Sequence, residues 1–281
     1  MKWKTRNADL DCSKTLLMGV VNLTPDSFSD GGKYRTPEKA VQHARQLIEQ
    51  GADILDLGAE STRPGAAAVD AEEEMRRLRP ALRMIAARTT LPLSVDTTKA
   101  AVARMALDEG AAMVNDISGL RYDPSLGEVV AAAGAALVLM HMRGTSREMY
   151  REASYANVGA EVRDELAVSV AAARRAGVAR ESIIVDPGLG FAKRAEHSYE
   201  ALASLADLAA LDRPILVGSS RKSFLTRAIG DVAPPGRDWG TAATVAAAIL
   251  EGAHIVRVHA VGPMVQVVQV ADEIVRARSR L

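Results

Sequence analysis

The chain of 281 residues contains a single cysteine, Cys12. No intrachain disulfide can form, and a reducing compartment is the expectation. Aromatic residues make up only 4% of the chain, so a core must be assembled from Ala, Val, Leu and Ile. No apolar run approaches the roughly eighteen residues of a membrane span. The N-terminal stretch MKWKTRNADLDCSK is basic but lacks the apolar core of a signal segment. Excess charge of either sign is missing too, since Lys+Arg and Asp+Glu are both 35. That balance removes the bulk electrostatics that would hold a chain to nucleic acid or to an anionic membrane, and leaves room for a local basic pocket. A cytoplasmic protein is the expectation. Without a linker or a low-complexity segment, residues 1–281 read as one domain.

What the chain does have is a repeated phrase: a helical stretch, then Gly-Ala, then a short apolar strand. It occurs as EQGADILDLGA, DEGAAMVNDIS, AAGAALVLMHM and LEGAHIVRVHA, and more loosely as RAGVARESIIVDPG. Gly51, Gly110, Gly134, Gly177 and Gly252 stand where the end of a helix needs a left-handed residue. Strands are expected at LLMGVVNL, DILDLGA, LPLSVD, AMVNDI, ALVLMHM, SIIVDPG, PILVGS and HIVRVH. They show little polar alternation, as parallel strands covered on both faces should. Between them lie helical segments such as AEEEMRRLRPALRMIAAR, where Met75, Leu78, Leu82 and Ile85 recur at helix spacing. The run AEEEMRRLR reads as a solvated face. About eight βα units point to an α/β fold of the (β/α)8 TIM barrel type, with a doubly wound open sheet as the alternative.

The stretch LPLSVDTTKA raises the functional question, because an apolar strand delivers a carboxylate, Asp96, to its own end. Asp96 could cap a helix opened by Thr97 and Thr98. The other strands argue otherwise. Asn22, Asp56, Asn115-Asp116, His141 with Arg143, Asp186, Ser219-Ser220-Arg221-Lys222 and Arg257-Val258-His259 all stand at strand ends. In a barrel these ends share the face where active sites collect. Asp56 and Asp116 read equally well as braces for their neighbours. Long loops follow the first, second and fifth strands, and Arg63 lies in the second beside Pro64-Gly65. Arg63, Arg257, His259 and Asn22 would form an anion-binding corner suited to a phosphate or diphosphate rather than a lone carboxylate. Asp96, Asn115, Asp186 and Lys222 would form a hydrogen-bonding wall for a flat heterocycle. Ser220-Arg221 would open a helix facing a second anion. No His/Cys cluster has zinc spacing, whereas Mg²⁺ could bind phosphate oxygens, water and Asn22.

Several long motifs stand in one order: MGVVNLTPDSFSDGG, GADILDLGAESTRPGA, SVDTTKAAVARMALDEGAAMVNDISG, VDPGLGFAK, ILVGSSRKSF and RVH. On these the chain closely resembles the dihydropteroate synthase family, the target of sulfonamide drugs. The resemblance covers nearly the whole chain. It implies a transferase of folate biosynthesis on a (β/α)8 barrel, using Mg²⁺, commonly homodimeric, with small-molecule substrates. Its reaction joins para-aminobenzoate to 6-hydroxymethyl-7,8-dihydropterin diphosphate. The resemblance implies a pterin site of Asp96, Asn115, Ile117, Met140, Asp186, Gly218, Lys222 and Arg257. It implies a diphosphate site of Asn22, Thr62, Arg63, Arg257 and His259, with the metal at Asn22. The aminobenzoate pocket would comprise Phe28, Thr62, Pro64, Phe191, Ser220, Arg221 and Lys222. Asp96, Lys222, Arg63 and His259 would carry the chemistry. Ala260 stands where the family usually has Asp, Ala192 where it has Gly, and Ser198 where it has Asn. Two other functions are compatible with parts of the pattern. A corrinoid-linked methyltransferase would share the pterin wall without needing the STRPG and SSRKSF stretches, and a non-catalytic relative would bind pterin without turnover. The apolar residues Val265, Val267, Val268, Val270, Ile274 and Val275 cover more than one face of the last helix. That helix is therefore expected to pack on both the barrel and a partner subunit.

Overall fold

In the computed structural model the described residues are 2–24, 36–61, 68–145, 148–151 and 153–280. A short antiparallel hairpin, β1 (Lys2–Lys4) and β2 (Asp9–Asp11), precedes the barrel. Eight parallel strands follow: β3 (Leu16–Asn22), β4 (Ile54–Gly58), β5 (Leu93–Asp96), β6 (Met113–Asp116), β7 (Ala136–Met140), β8 (Ile183–Asp186), β9 (Leu216–Val217) and β10 (Ile255–Val258). Their order around the sheet is β8-β7-β6-β5-β4-β3-β10-β9. A parallel bridge between Val185 and Ile215 joins the two ends and closes the ring. The expected (β/α)8 barrel is therefore the fold, and the open doubly wound sheet is not.

Helices α1 (Pro37–Glu49), α2 (Ala71–Ala86), α3 (Ala100–Asp108), α4 (Ser125–Ala132), α5 (Val158–Arg175), α6 (Ala195–Ala203), α7 (Thr226–Ile229), α8 (Asp238–Leu250) and α9 (Val261–Arg278) follow the strands. Gly51, Gly110, Gly134, Gly177 and Gly252 all have positive φ, as the short helix-to-strand turns demand. One apolar layer lies between strands and helices. A second fills the barrel interior with Leu16, Met18, Ile54, Met113, Val138, Ile184, Leu216 and Ile255. Trp3, from the hairpin, is fully buried against this interior layer and donates its indole N–H to the Ser182 carbonyl at 3.2 Å. The barrel is thus packed at its N-terminal end, and the polar groups are left to the other.

Two local expectations need correction. Helix α3 starts at Ala100, not at Thr97, and the Ala100 N–H is taken by Asp123 at 2.8 Å. Asp96 is therefore not a cap. In α2 the run of charges is not uniformly solvated. Glu74 is completely buried, its Oε2 2.6 Å from Lys99 Nζ. Lys99 also pairs with Glu60, whose Oε1 accepts from the Val69 N–H at 3.0 Å. Burial raises the pKa of Glu74, and the Lys99 pairing only partly opposes it.

Candidate active site

Strand alternation aims every second side chain inward. Asp96 pairs in register with Asn115, and Met140 with Asp186, so one inward ring at the top of the barrel carries polar groups. Above it lies a cavity of about 580 Å³. All the described residues expected in the pterin set line it: Asp96, Asn115, Ile117, Met140, Asp186, Gly218, Lys222 and Arg257. So do Asn22 and His259 from the expected diphosphate corner, and Phe191, Ser220 and Arg221 from the expected aminobenzoate pocket. Phe28, Thr62, Arg63 and Pro64 lie outside the described residues.

Arg257 is the hub of the ring. Its Nε donates to Asp56 Oδ2 at 2.6 Å and its Nη2 to Asp96 Oδ2 at 3.1 Å. Asp56 Oδ2 also accepts from Asn115 Nδ2 at 3.2 Å. Asp56 is thus a fully buried brace beneath two cavity groups. Asp116, in contrast, turns its own loop, accepting from the N–H groups of Ser118 and Leu120. The fourth strand end therefore gives Asn115 to the site and Asp116 to the scaffold.

Charge in this dry ring is strongly perturbed. Burial pushes Asp96 up to about 7 despite the opposing pull of Arg257. Burial also raises Asp186, against Lys222 and a 2.7 Å hydrogen bond from the Gly188 N–H. Lys222 is pushed down to about 8 by burial, with Asp186 and Asp96 pulling the other way. Burial works against the charge on Arg257 too, but Asp56 and Asp96 outweigh it and its pKa rises. A carboxylate and a lysine held near neutrality can exchange hydrogen bonds with a heterocycle at little cost in reorganisation.

The remaining expectations divide. His141 and Arg143 turn away from the cavity and bind Glu165 on α5, His141 Nε2 at 3.0 Å and Arg143 Nε at 2.9 Å. Ser220 and Arg221 do not open a helix. They form a turn in which Arg221 has φ +58°, and α7 begins only at Thr226. Arg221 instead forks onto Asp238 at 2.7 and 2.8 Å. The Ser220 hydroxyl accepts from the His259 backbone N–H at 3.2 Å and lies 3.0 Å from its Nδ1. The cavity is completed by residues that sequence reasoning passed over, among them Met149, Ser223, Pro235 and Arg237. Arg237 had no signal of its own; its guanidinium ties the segment before α8 to the carbonyls of Val232 and Arg221.

Among the described residues no group of three His, Cys, Asp or Glu side chains could hold a metal ion. Asn22 lines the cavity at the end of β3. A cation could take that amide oxygen only if most of its other ligands were water and ligand oxygens, which is how Mg²⁺ is usually bound. The donor set fits that mode and not a zinc cage.

Residues 18–259 match a family described as pterin binding enzyme. The dihydropteroate synthase of Mycobacterium leprae (strain TN) is 47% identical over 260 residues, 90% of this chain and 91% of that protein. The chain belongs to the pterin-binding enzymes, among the dihydropteroate synthases. The Escherichia coli (strain K12) dihydropteroate synthase is 41% identical over 278 residues, 99% of this chain and 98% of that one. Among solved structures, the Yersinia pestis dihydropteroate synthase in complex with a sulfonamide drug superposes with a TM-score of 0.93 at 38% identity, covering 99% of this chain and 100% of that one. The Xanthomonas albilineans dihydropteroate synthase with 4-aminobenzoic acid gives 0.90 at 41% identity over 97% of each chain. Two departures from the family's pattern have local structural counterparts. Ala192 takes the positive φ, +49°, that a glycine would take freely. Ser198 accepts from the Gly190 N–H at 3.1 Å and so holds the β8–α6 loop.

Proposed function

We propose that this cavity joins para-aminobenzoate to 6-hydroxymethyl-7,8-dihydropterin diphosphate, giving 7,8-dihydropteroate and diphosphate, as a transferase of folate biosynthesis. The carrying observation is the meeting of Asp96, Asn115, Asp186, Lys222 and Arg257 in one buried ring. Such a ring matches the donors and acceptors along a pterin edge, and it sits beside the Asn22–His259 corner. A Xanthomonas albilineans relative solved in complex with 7,8-dihydropteroate supports the same reading.

Asp96, Asn115 and Asp186 receive the pterin N–H groups, Lys222 donates to its carbonyl side, and Arg257 lies against the ring. Ile117, Met140 and Gly218 shape the slot. The carbon–oxygen bond to the diphosphate breaks, its electron pair leaving with the diphosphate. Carboxylates around the pterin stabilise the resulting cation. Arg63, Arg257, His259 and Thr62 hold the leaving group. The aminobenzoate nitrogen attacks the cationic carbon and then loses its proton. Phe28, Pro64, Phe191, Ser220, Arg221 and Lys222 surround the aminobenzoate. Mg²⁺, held through Asn22 and substrate oxygens, would neutralise charge on the departing diphosphate. No covalent enzyme nucleophile is required.

Two further features belong to this reading. The exposed Val270, Ile274 and Val275 of α9 suit a homodimer contact, since Val268 on the same helix already packs on the barrel. Light scattering at micromolar concentration should give twice the chain mass, and a monomer would sink the assignment. Among the described residues no helix is long and apolar enough to cross a membrane. With the lone Cys12 as a buried thiol, a cytoplasmic location fits.

The deciding experiment is diphosphate release from purified protein with Mg²⁺, the pterin diphosphate and para-aminobenzoate, with product mass checked. Aminobenzoate-dependent dihydropteroate establishes the reaction. Tight pterin binding without product would make the chain a binding relative, with Ala260→Asp the next variant.

A further inference from the structure

Behind the cavity lies a buried lysine that the proposed reaction does not use. Lys193 lies in the loop from β8 to α6, two residues before the helix, and is 1% exposed. Its Nζ is 2.7 Å from His141 Nδ1, 3.3 Å from the Gly188 carbonyl and 3.2 Å from the Phe191 carbonyl. Among the described residues no carboxylate lies within ion-pair distance of it. Three acceptors around one nitrogen match the three N–H groups of an ammonium, although burial works against that charge and pushes the lysine well below its usual pKa. His141 completes the assignment. Its Nε2 faces Glu165 at 3.0 Å, so Nε2 carries the ring hydrogen and Nδ1 is left as the acceptor. Burial, then the charge of Lys193, pushes His141 down to about 4, in keeping with a neutral ring.

The loop wraps this nitrogen. Phe191 N–H donates back to the Gly188 carbonyl at 3.0 Å, and the Tyr155 hydroxyl donates to the Ala192 carbonyl at 3.0 Å. On its outer side the same loop meets Lys222. The Leu189 carbonyl accepts from Lys222 Nζ at 2.7 Å, and that nitrogen stands 4.6 Å above the Phe191 ring. The 188–191 segment thus has a lysine on each side, Lys193 buried behind it and Lys222 facing the cavity.

We propose that Lys193 is a positioning residue: held by His141, it folds the 188–191 segment about its own Nζ and so fixes the carbonyl and ring that place Lys222. This rests on the reading of Lys222 and Phe191 as aminobenzoate contacts. A buried ammonium serving only to satisfy loop carbonyls would support folding alone. The positioning role also sets the affinity for the substrates that Lys222 touches.

The test uses Lys193→Met, His141→Leu and His141→Asn in the full chain. Asn can present an oxygen near the place of Nδ1, whereas Leu cannot. Lys193→Met and His141→Leu should each raise the aminobenzoate KM about tenfold, the effect of losing one hydrogen bond to a charged group, and should raise the pterin diphosphate KM as well, because Lys222 is placed against both substrates. His141→Asn should stay near the parent. The Lys193→Met/His141→Leu double variant should be no worse than either single one, because both remove the same support. The 15N signal of the Lys222 amine, read by NMR without substrate, should move in Lys193→Met and His141→Leu and not in His141→Asn. If Lys193→Met does not fold, the His141 pair carries the test. A parent that makes no product overturns the proposed reaction, and the Lys222 signal still decides the positioning role. An unmoved Lys222 signal in a folded variant, or KM values unchanged for both substrates, overturns the role of Lys193.

Discussion

Arg257 Nε donates to Asp56 Oδ2 at 2.6 Å, joining the last barrel strand to the second beneath the cavity. The same oxygen takes the Asn115 amide, so one buried carboxylate holds both Arg257 and Asn115 at the cavity floor. Replacing Asp56 by Ala leaves a largely buried guanidinium without its nearest counter-charge. Urea denaturation should show a loss of about 3–5 kcal/mol. Pterin affinity should also fall, measured calorimetrically on the folded fraction. A stability change below about 1 kcal/mol would mean that Asp96 alone anchors Arg257.

Asp96 gives a pH dependence of definite sign. With a pKa of about 7 in the unliganded protein, it is protonated at pH 6. A pterin N–H donates best to the ionised carboxylate, so binding releases a proton below pH 7. Affinity should therefore rise with pH by up to about tenfold per unit and level off above 7. Above about 8 Lys222 loses its proton and affinity should fall again. These limbs belong to the coupled cluster rather than to isolated groups. Asp96→Asn should abolish the lower limb, as read by calorimetry across pH 5.5–9 in buffers of differing ionisation enthalpy. A pH-independent affinity for the parent would contradict the assignment. The same shift makes Asp96 a stability liability. Its folded pKa lies above its ordinary value of 3.8, so its contribution declines as pH rises from about 4 to 7.

Asp186 tests the opposite wall. Its Oδ1 accepts from the Gly188 N–H at 2.7 Å, which leaves Oδ2 for a ligand. Asp186→Asn removes the charged acceptor and should weaken pterin binding about tenfold to a hundredfold. Unchanged affinity in a calorimetric titration would remove Asp186 from the pterin set.

The strand-end carboxylates were legible because each follows an apolar run, and the strands of Asp56, Asp116 and Asp186 are preceded by a helix-ending glycine. Periodicity fixes where such a side chain points. Other charges were illegible because burial leaves no mark on residue type. Glu74 reads as one more acid in AEEEMRRLR, although its spacing to Leu78, Ala81 and Ile85 places it on the buried face of α2. Lys193 sits beside Arg194, and only the folded loop distinguishes them. The turn at Arg221 was hidden too, since a positive φ on a non-glycine residue follows from tertiary contacts such as the Asp238 fork.

Arg63 belongs to the second βα loop, whose base is described. Glu60, at its entry, accepts from Val69, at its exit. Arg63→Ala should lower turnover with the pterin diphosphate by at least about tenfold while sparing the affinity for pterin itself. Steady-state kinetics beside a binding titration would separate the two, and unchanged kinetics would return Arg63 to the protein surface.

Two glycines separate backbone strain from close approach. Gly134 ends α4 at φ +61°, and a Cβ there would meet nothing within 4 Å. Gly188 has a similar φ, +67°, but a Cβ there would overlap the His141 carbonyl oxygen, where β7 and β8 converge under the cavity. Gly134→Ala should therefore cost about 1–2 kcal/mol, the left-handed penalty alone. Gly188→Ala carries that penalty and must also push the β8–α6 loop away from His141, so its loss of stability should be clearly larger. It should weaken aminobenzoate binding as well, because the displaced segment carries Leu189 and Phe191 to new positions relative to Lys222. Paired thermal and urea denaturation of the two variants isolates the clash. Equal destabilisation would mean that the ends of β7 and β8 can separate freely, and that the loop is not held by the packing around His141.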